Sequence, residues 1–397
     1  MRAFELKKDL YWCGALDPTL RVFDIIMSTE FGTTYNAYLY TAGEKKVLFE
    51  TVKDKFYDGF AQTVDELLGI EKIDYLVVDH TEPDHAGSVA RILERNPDIT
   101  IVGTTAAIGF LEQIVNQKFR AITVKDGDTL DLGGRTLRFW FVPNLHWPDT
   151  MYTVLEQEQV IVTCDSFGCH YSHAGILRST VTDTDGYMRA AKYYFDNILG
   201  PFRQPFMKKA VRRVREYNPQ MILPGHGPVL DVGIAEFLDV YDAWCAVASN
   251  EEKTVVIPYV SAYGYTKMLA DEVAKGVASA GIRVKLYDMV CADFAQVMDE
   301  IAKADGILLG TPTILGDALK PIWDITTCMY PPVHGGKYAS AFGSYGWSGE
   351  GVPNMLERLR QLKLKVSDGY RVRFQPDESQ RKGAFAFGYE FGKTILG

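Results

Sequence analysis

The run His80-Thr81-Glu82-Pro83-Asp84-His85 packs four side chains able to ligate a metal into six residues. One residue, Asp79, separates it from an apolar, β-branched segment, Ile73-Asp74-Tyr75-Leu76-Val77-Val78. Such a segment predicts a strand buried in a sheet. Ala86-Gly87-Ser88-Val89-Ala90 predicts the first turn of a helix. The four groups are therefore expected in a strand-to-helix loop, where a rigid scaffold holds functional side chains. Helix capping by Asp84 beside two loop histidines would account for any one of these residues, but not for the cluster together with its downstream partners.

The chain has seven histidines. His146, in Pro143-Asn144-Leu145-His146-Trp147-Pro148, and His226, in Pro224-Gly225-His226-Gly227-Pro228, each follow an apolar, strand-like run. Asp165 ends a third, Val160-Ile161-Val162-Thr163-Cys164. Strand-end loops converging on one sheet edge would gather four imidazoles and three carboxylates in one pocket. Asp165 could then bridge two cations through its two oxygens.

This order of motifs resembles the metallo-β-lactamase superfamily, whose hydrolases bind zinc through H-x-H-x-D-H. Here Glu82 stands in place of the second histidine, and a carboxylate for an imidazole makes the site harder and more anionic, moving its preference from zinc toward iron or manganese. H-x-E-x-D-H is the signature of the flavodiiron proteins, or A-type flavoproteins. The resemblance covers almost the whole chain. It implies two irons, one held by His80, Glu82 and His146 and the other by Asp84, His85 and His226, with Asp165 bridging. It also places His170 near the site, as a donor orienting the ligands or supplying protons, although a merely satisfied loop histidine fits the sequence as well. Tyr193 and Tyr194 match a family tyrosine pair close to the metals. For Cys164 and Cys169, which flank the Asp165 loop, ordinary buried thiols are the plainer reading beside a redox switch.

The second half supports the same family independently. A polar stretch, Ala248-Ser249-Asn250-Glu251-Glu252-Lys253, suits a linker, giving expected domains at 1–250 and 251–397. Thr254-Val255-Val256-Ile257-Pro258-Tyr259-Val260 predicts a strand, followed by the turn Ser261-Ala262-Tyr263-Gly264-Tyr265-Thr266 and a helical pattern through Met268, Leu269, Val273 and Val277. Hydroxyls and backbone N–H groups at a helix N-terminus suit a phosphate, and there is no Walker lysine, so the turn resembles the phosphate loop of flavodoxin. Two further strand-end loops, Thr311-Pro312-Thr313-Ile314-Leu315-Gly316 and Gly343-Ser344-Tyr345-Gly346-Trp347-Ser348-Gly349, lie where an open parallel sheet binds its ligand. Tyr345 and Trp347 offer flat surfaces for an isoalloxazine ring. The expected fold is α/β: a metallo-β-lactamase-like αββα sandwich, then a flavodoxin-like doubly wound parallel sheet that binds FMN.

At 397 residues and 47% hydrophobic content the chain can bury two substantial cores. No run reaches the length of a membrane span and the N-terminal residues lack a secretory apolar core, so a cytoplasmic protein is expected. Six cysteines without a C-x-x-C pair point to reduced thiols and to no fused rubredoxin. The formal charge of −9 gives no support for nucleic-acid binding. One basic run, Lys208-Lys209-Ala210-Val211-Arg212-Arg213-Val214-Arg215, reads as a solvated helix face or as a docking patch for an acidic electron donor.

The function implied is reduction of dioxygen to water, of nitric oxide to nitrous oxide, or both. Rubredoxin or reduced deazaflavin coenzyme would be the donor, and a head-to-tail homodimer, or a dimer of such dimers, would bring one chain's FMN to the other's irons. The competing readings are a two-metal hydrolase of metallo-β-lactamase type, against which Glu82 and the second domain argue, and a pure electron carrier, which would need a gap in the seven ligands.

Overall fold

Alternation of side chains along the strands builds the first half as four layers. In the computed structural model, which describes residues 2–246, 251–329 and 331–397, the chain separates into two compact units, Met1–Ala246 and Val247–Gly397. Residues 248–250 of the expected linker lie outside the described residues. Glu251–Lys253 lead directly into the strand Thr254–Tyr259.

The first unit holds a seven-stranded sheet whose central strands are Tyr38–Tyr40, Val47–Phe49, Tyr75–Val77 and Thr100–Thr104, and a five-stranded sheet ending in Met151–Leu155, Val160–Cys164 and Met221–Pro224. With a side-chain period of two, Tyr38, Tyr40, Val47, Phe49, Val77 and Val102 face inward against Phe139, Met151, Val160, Val162 and Leu223 of the other sheet. Leu39, Leu48, Leu76 and Ile101 face outward and pack with Phe60 and Val64 of the helix Tyr57–Leu67 and with Ile108 and Leu111 of Thr105–Val115. On the far side Tyr152, Val154, Ile161 and Ile222 meet Tyr194, Val211 and Tyr241 of three further helices. The result is the expected αββα sandwich.

The expected strand at 73–78 is the shorter Tyr75–Val77. The expected helical turn at 86–90 is two pieces, Pro83–Ala86 and Val89–Arg95. Proline is favoured in a first turn, because its missing N–H is an orphan there anyway, so the helix begins inside the motif and carries Asp84 and His85 with it. The basic run forms the helix Lys208–Tyr217. Four of its cations are paired within the unit: Lys208 with Asp242, Arg212 with Glu216, Arg213 with Asp126 and Arg215 with Asp239. That pattern favours the solvated face over the docking patch.

The second unit is a parallel sheet in the order Arg283–Asp288, Thr254–Tyr259, Gly306–Gly310, Tyr338–Tyr345, with Lys365–Val366 and Tyr370–Arg373 pairing successive halves of the last strand. Val255, Ile257 and Phe342 pack toward the helices Tyr265–Ser279 and Glu378–Leu396, while Val256, Ile307 and Ala341 pack toward helices on the opposite face. This is the doubly wound arrangement. Gly343, Ser344 and Tyr345, expected in a loop, lie instead at the end of the strand Tyr338–Tyr345, because Tyr370–Arg373 pairs with them. Among the described residues, no helix is long and apolar enough to cross a membrane.

Candidate functional site

Each candidate metal ligand in the first unit follows a strand. His80 to His85 come after Tyr75–Val77, His146 after Thr136–Phe141, Asp165 directly after Val160–Cys164, and His226 after Met221–Pro224. Strand ends from both sheets therefore meet in one pocket, with Asp165 between two sets of groups. Asp165 Oδ2 lies 3.2 Å from His146 Nε2 and 3.4 Å from His80 Nε2. Its Oδ1 lies 3.1 Å from His85 Nε2 and 3.5 Å from His226 Nε2. Glu82 Oε2 closes the first set, 3.0 Å from His146 Nε2 and 3.2 Å from His80 Nε2, and Asp84 Oδ2 the second, 3.0 Å from His226 Nε2.

One atom each from His80, Glu82, His146 and Asp165 lies within 4.8 Å of the others, and likewise for Asp84, His85 and His226. Asp84 Oδ1 and Asp165 Oδ2 are buried without a hydrogen-bond partner. Oδ2 nonetheless sits close to two ring nitrogens, the arrangement expected of lone pairs aimed at a shared point rather than at each other. A mixed nitrogen and oxygen set of this kind fits divalent first-row metals.

Burial opposes the charged form of Asp165, yet the surrounding His85, His146 and His80 hold its carboxyl well below the usual range. Burial likewise works against protonated imidazole, but Asp84 and Asp165 raise His85 to about 10, and Asp165 and Glu82 raise His146 to about 9. Without cations, protons neutralise this carboxylate cluster.

A layer behind these groups was not legible in the sequence. Asp149 accepts from His80 Nδ1 at 3.3 Å, and from the Thr81 N–H and hydroxyl, both at 2.8 Å. The Thr34 carbonyl takes His226 Nδ1. Glu50, buried, accepts the Asp79 N–H at 2.6 Å. Burial raises both carboxyls, Glu50 to about 7 and Asp79 well above the usual carboxylate range. Partial burial, together with the nearby carboxylates of Glu82 and Asp84, pushes Asp24 up to about 6. All are single residues without a motif of their own. Outer groups of this kind fix ring orientation and tautomer.

Tyr194 donates its hydroxyl to Asp165 Oδ1 at 2.9 Å. His170 is buried against His226 and Tyr194, with Nδ1 2.9 Å from Thr33 Oγ1 and Nε2 unpartnered. Burial, then the neighbouring His226, hold it well below the usual imidazole range, hence neutral. Tyr193 does not join the cluster. It is 40% exposed, accepts from the Ser28 N–H at 3.3 Å, and lines with His170, Glu30 and Arg189 a cavity of about 250 Å³. Cys164 and Cys169 are buried free thiols, both raised by burial.

In the second unit the strand ends enclose a cavity of about 300 Å³ lined by Tyr263, Tyr265, Pro312, Thr313, Ile314, Leu315, Gly316, Ser344, Tyr345, Gly346, Trp347, Ser348 and Phe374. Gly264 begins the adjoining helix with φ 84°, a left-handed conformation that favours glycine. Ser261, Gly264, Thr266, Thr311 and Gly349 neighbour these residues in sequence but do not line the cavity. Ser261 Oγ accepts the Lys267 N–H, the Thr266 and Ser344 hydroxyls pair at 2.9 Å, and Thr311 Oγ1 accepts from the Leu319 N–H. Phe374, which follows Tyr370–Arg373, adds a wall that the three loops did not reveal. Aromatic faces left open to water beside a helix N-terminus suit a planar ring carrying a phosphate.

Residues 33–227 match a family model described as ODP family beta lactamase, and residues 257–388 match the flavodoxin family. A flavo-diiron protein of Clostridium acetobutylicum is 39% identical to this chain, covering 100% of both. A type A flavoprotein of Rhodobacter capsulatus is 36% identical, covering 98% of this chain and 90% of its own. Among solved structures, the flavodiiron protein from Giardia intestinalis superposes with a TM-score of 0.66 at 28% identity, over 100% of this chain and 97% of its own. The rubredoxin oxygen:oxidoreductase from Desulfovibrio gigas does so with 0.68 at 27% identity, over 100% and 99%.

Proposed function

Since this chain belongs to the flavodiiron protein family, we propose that it reduces dioxygen to water, nitric oxide to nitrous oxide, or both, at a diiron centre fed by FMN. It is an oxidoreductase with FMN and two non-haem irons as cofactors. His80, Glu82 and His146 would hold one iron and Asp84, His85 and His226 the other, with Asp165 placed to serve both. The observation that carries this reading is the division of Asp165, each oxygen facing its own pair of imidazoles.

When bound, the reduced flavin and a diferrous pair supply two electrons each, enough for four-electron reduction of dioxygen with four protons, or for two-electron coupling of two nitric oxide molecules with two. The residues of the chain supply the rest. Tyr194 holds a proton at its hydroxyl against Asp165 Oδ1 and orients the bridging carboxylate. Neutral His170 keeps Nε2 free to take or pass a proton. Burial of the ligand set limits access by bulk water and strengthens electrostatic contacts within it.

The electron donor is a rubredoxin-like protein, as the name of the Desulfovibrio gigas relative suggests, with reduced deazaflavin coenzyme as the other choice. Two chains pair head-to-tail, so that electrons cross between chains. Co-expressing an Asp165→Ala chain with a Gly264→Trp chain tests the pairing: heterodimers should be active although neither parent is, and loaded but inactive heterodimers would count against it.

The function itself is tested with iron- and FMN-loaded protein, reduced anaerobically and mixed with each gas. Complete reoxidation without hydrogen peroxide, or with release of nitrous oxide, is expected. A protein that retains only zinc, leaves both gases untouched and turns over an ester or thioester would instead be a two-metal hydrolase.

A further inference from the structure

The imidazoles of the metal cluster differ in how their inner edges are held. His80 Nδ1 faces Asp149, and His226 Nδ1 faces the Thr34 carbonyl. His85 is only 1% exposed, but its Nδ1 has no hydrogen-bond partner. Three strand ends close around that edge. Glu50, after Val47–Phe49, and Cys164, ending Val160–Cys164, both adopt left-handed backbone, with φ 58° and 45°. At Gly225, after Met221–Pro224, a Cβ would stand 2.5 Å from His85 Cε1, so only glycine leaves room for the ring. A carboxylate oxygen of Glu50, a ring nitrogen of His85 and Cys164 Sγ lie within 4.8 Å of one another. Thr51, next to Glu50, donates its N–H to the His85 carbonyl at 2.9 Å and its hydroxyl to the same oxygen. Glu50 Oε1 is committed to the Asp79 N–H, and Oε2 is buried and unpartnered.

We propose that Glu50 is the positioning residue for His85: Oε2 is the acceptor for the Nδ1 proton, fixing the tautomer that leaves Nε2 bare and turned toward Asp84 and Asp165. The left-handed turn at Glu50 is what points this side chain inward from a strand end. A carboxylate behind a ligating imidazole both orients the ring and raises its basicity. The inference rests on the diiron reading, and its test separates the two.

Apoprotein is titrated with cobalt(II), followed by its visible d–d absorption and by calorimetry. Wild-type protein should take up two ions per chain. In Glu50→Gln the amide oxygen must stay on the Asp79 N–H, so the amide nitrogen faces His85 and favours the tautomer with a proton on Nε2. Expected is an unchanged first ion and a second bound about 10–100-fold more weakly, with its d–d bands altered. His85→Ala should show the same selective loss, and adding Glu50→Gln to it should cost nothing more. Glu50→Asp, which keeps the charge but withdraws it by one methylene, should lie between wild type and Glu50→Gln. It replaces the latter in the cycle if that variant does not fold.

Two ions bound as in wild type by the Glu50 variants would overturn the assignment. So would an undiminished Glu50 effect in the His85→Ala background, or a third ion held at Cys164. Fewer than two ions in wild type would overturn the diiron reading, and this inference with it.

Discussion

At the metal centre, His80, Asp84, His85, Asp165 and His226 are at most 5% exposed, and the carboxylates of Asp84 and Asp165 sit within 3.6 Å of histidine nitrogens. At the flavin cavity, Tyr263, Trp347 and Leu315 are 81%, 86% and 98% exposed. The first arrangement is forced by charge: carboxylates and imidazoles can be buried this closely only if cations or protons balance them. The second is a set of apolar faces on strand-end loops, which cost little to leave open. The contrast teaches that the metal centre should respond to substitution as a unit, whereas the flavin cavity should lose affinity contact by contact.

The sharpest way to break that comparison is Asp165→Ala, which removes the one side chain shared by both sets of ligands. Activity with either gas should fall by more than about 100-fold. Metal content should drop while flavin absorbance stays at the wild-type level. Wild-type turnover would remove Asp165 from the site.

Asp149→Ala leaves every proposed ligand in place but takes away the acceptor for His80 Nδ1 and for both donors of Thr81. A loss of about 10–100-fold in affinity for one of the two ions is expected, read by competition with a chelator. An unaltered affinity would mean that the site is not held as a unit.

Metal uptake should also depend on pH. In the apoprotein His85 and His146 keep their protons up to about 10 and 9, so at neutral pH an entering cation must displace them. Affinity should therefore rise between pH 6 and pH 9 by up to roughly tenfold per unit for each proton released, and calorimetry in buffers of different ionisation enthalpy counts those protons. FMN binding should stay flat over the same interval.

Trp347→Ala tests the other side of the comparison. Loss of one stacking surface is worth about 1 kcal/mol, so FMN should bind roughly fivefold more weakly in a fluorescence titration, with both metals retained.

Much of this protein was legible as local pattern. The runs Val160–Cys164 and Thr254–Tyr259 are read as strands because their apolar, β-branched residues are contiguous, and both form. The seven ligand candidates stand out because histidines are few and each follows such a run, so strand-end placement alone brings them together. The strand Tyr338–Tyr345 escaped at its end, since the pairing that extends it, Ser344 with Val372 and Tyr345 with Arg373, comes from a segment nearly thirty residues on.

The residues behind the ligands were invisible for the same reason. Glu50, Asp149 and the Thr34 carbonyl lie 35, 69 and 192 residues from the imidazoles they serve, and nothing near them in the chain marks them. Sequence by itself determined which elements form and which residues carry the chemistry, because periodicity and ligand type are local properties. Only the tertiary structure decided which carboxylate stands behind which histidine, which oxygen of Asp165 faces which set, and that Phe374 reaches the flavin cavity, because those contacts exist only once distant strand ends close on one another.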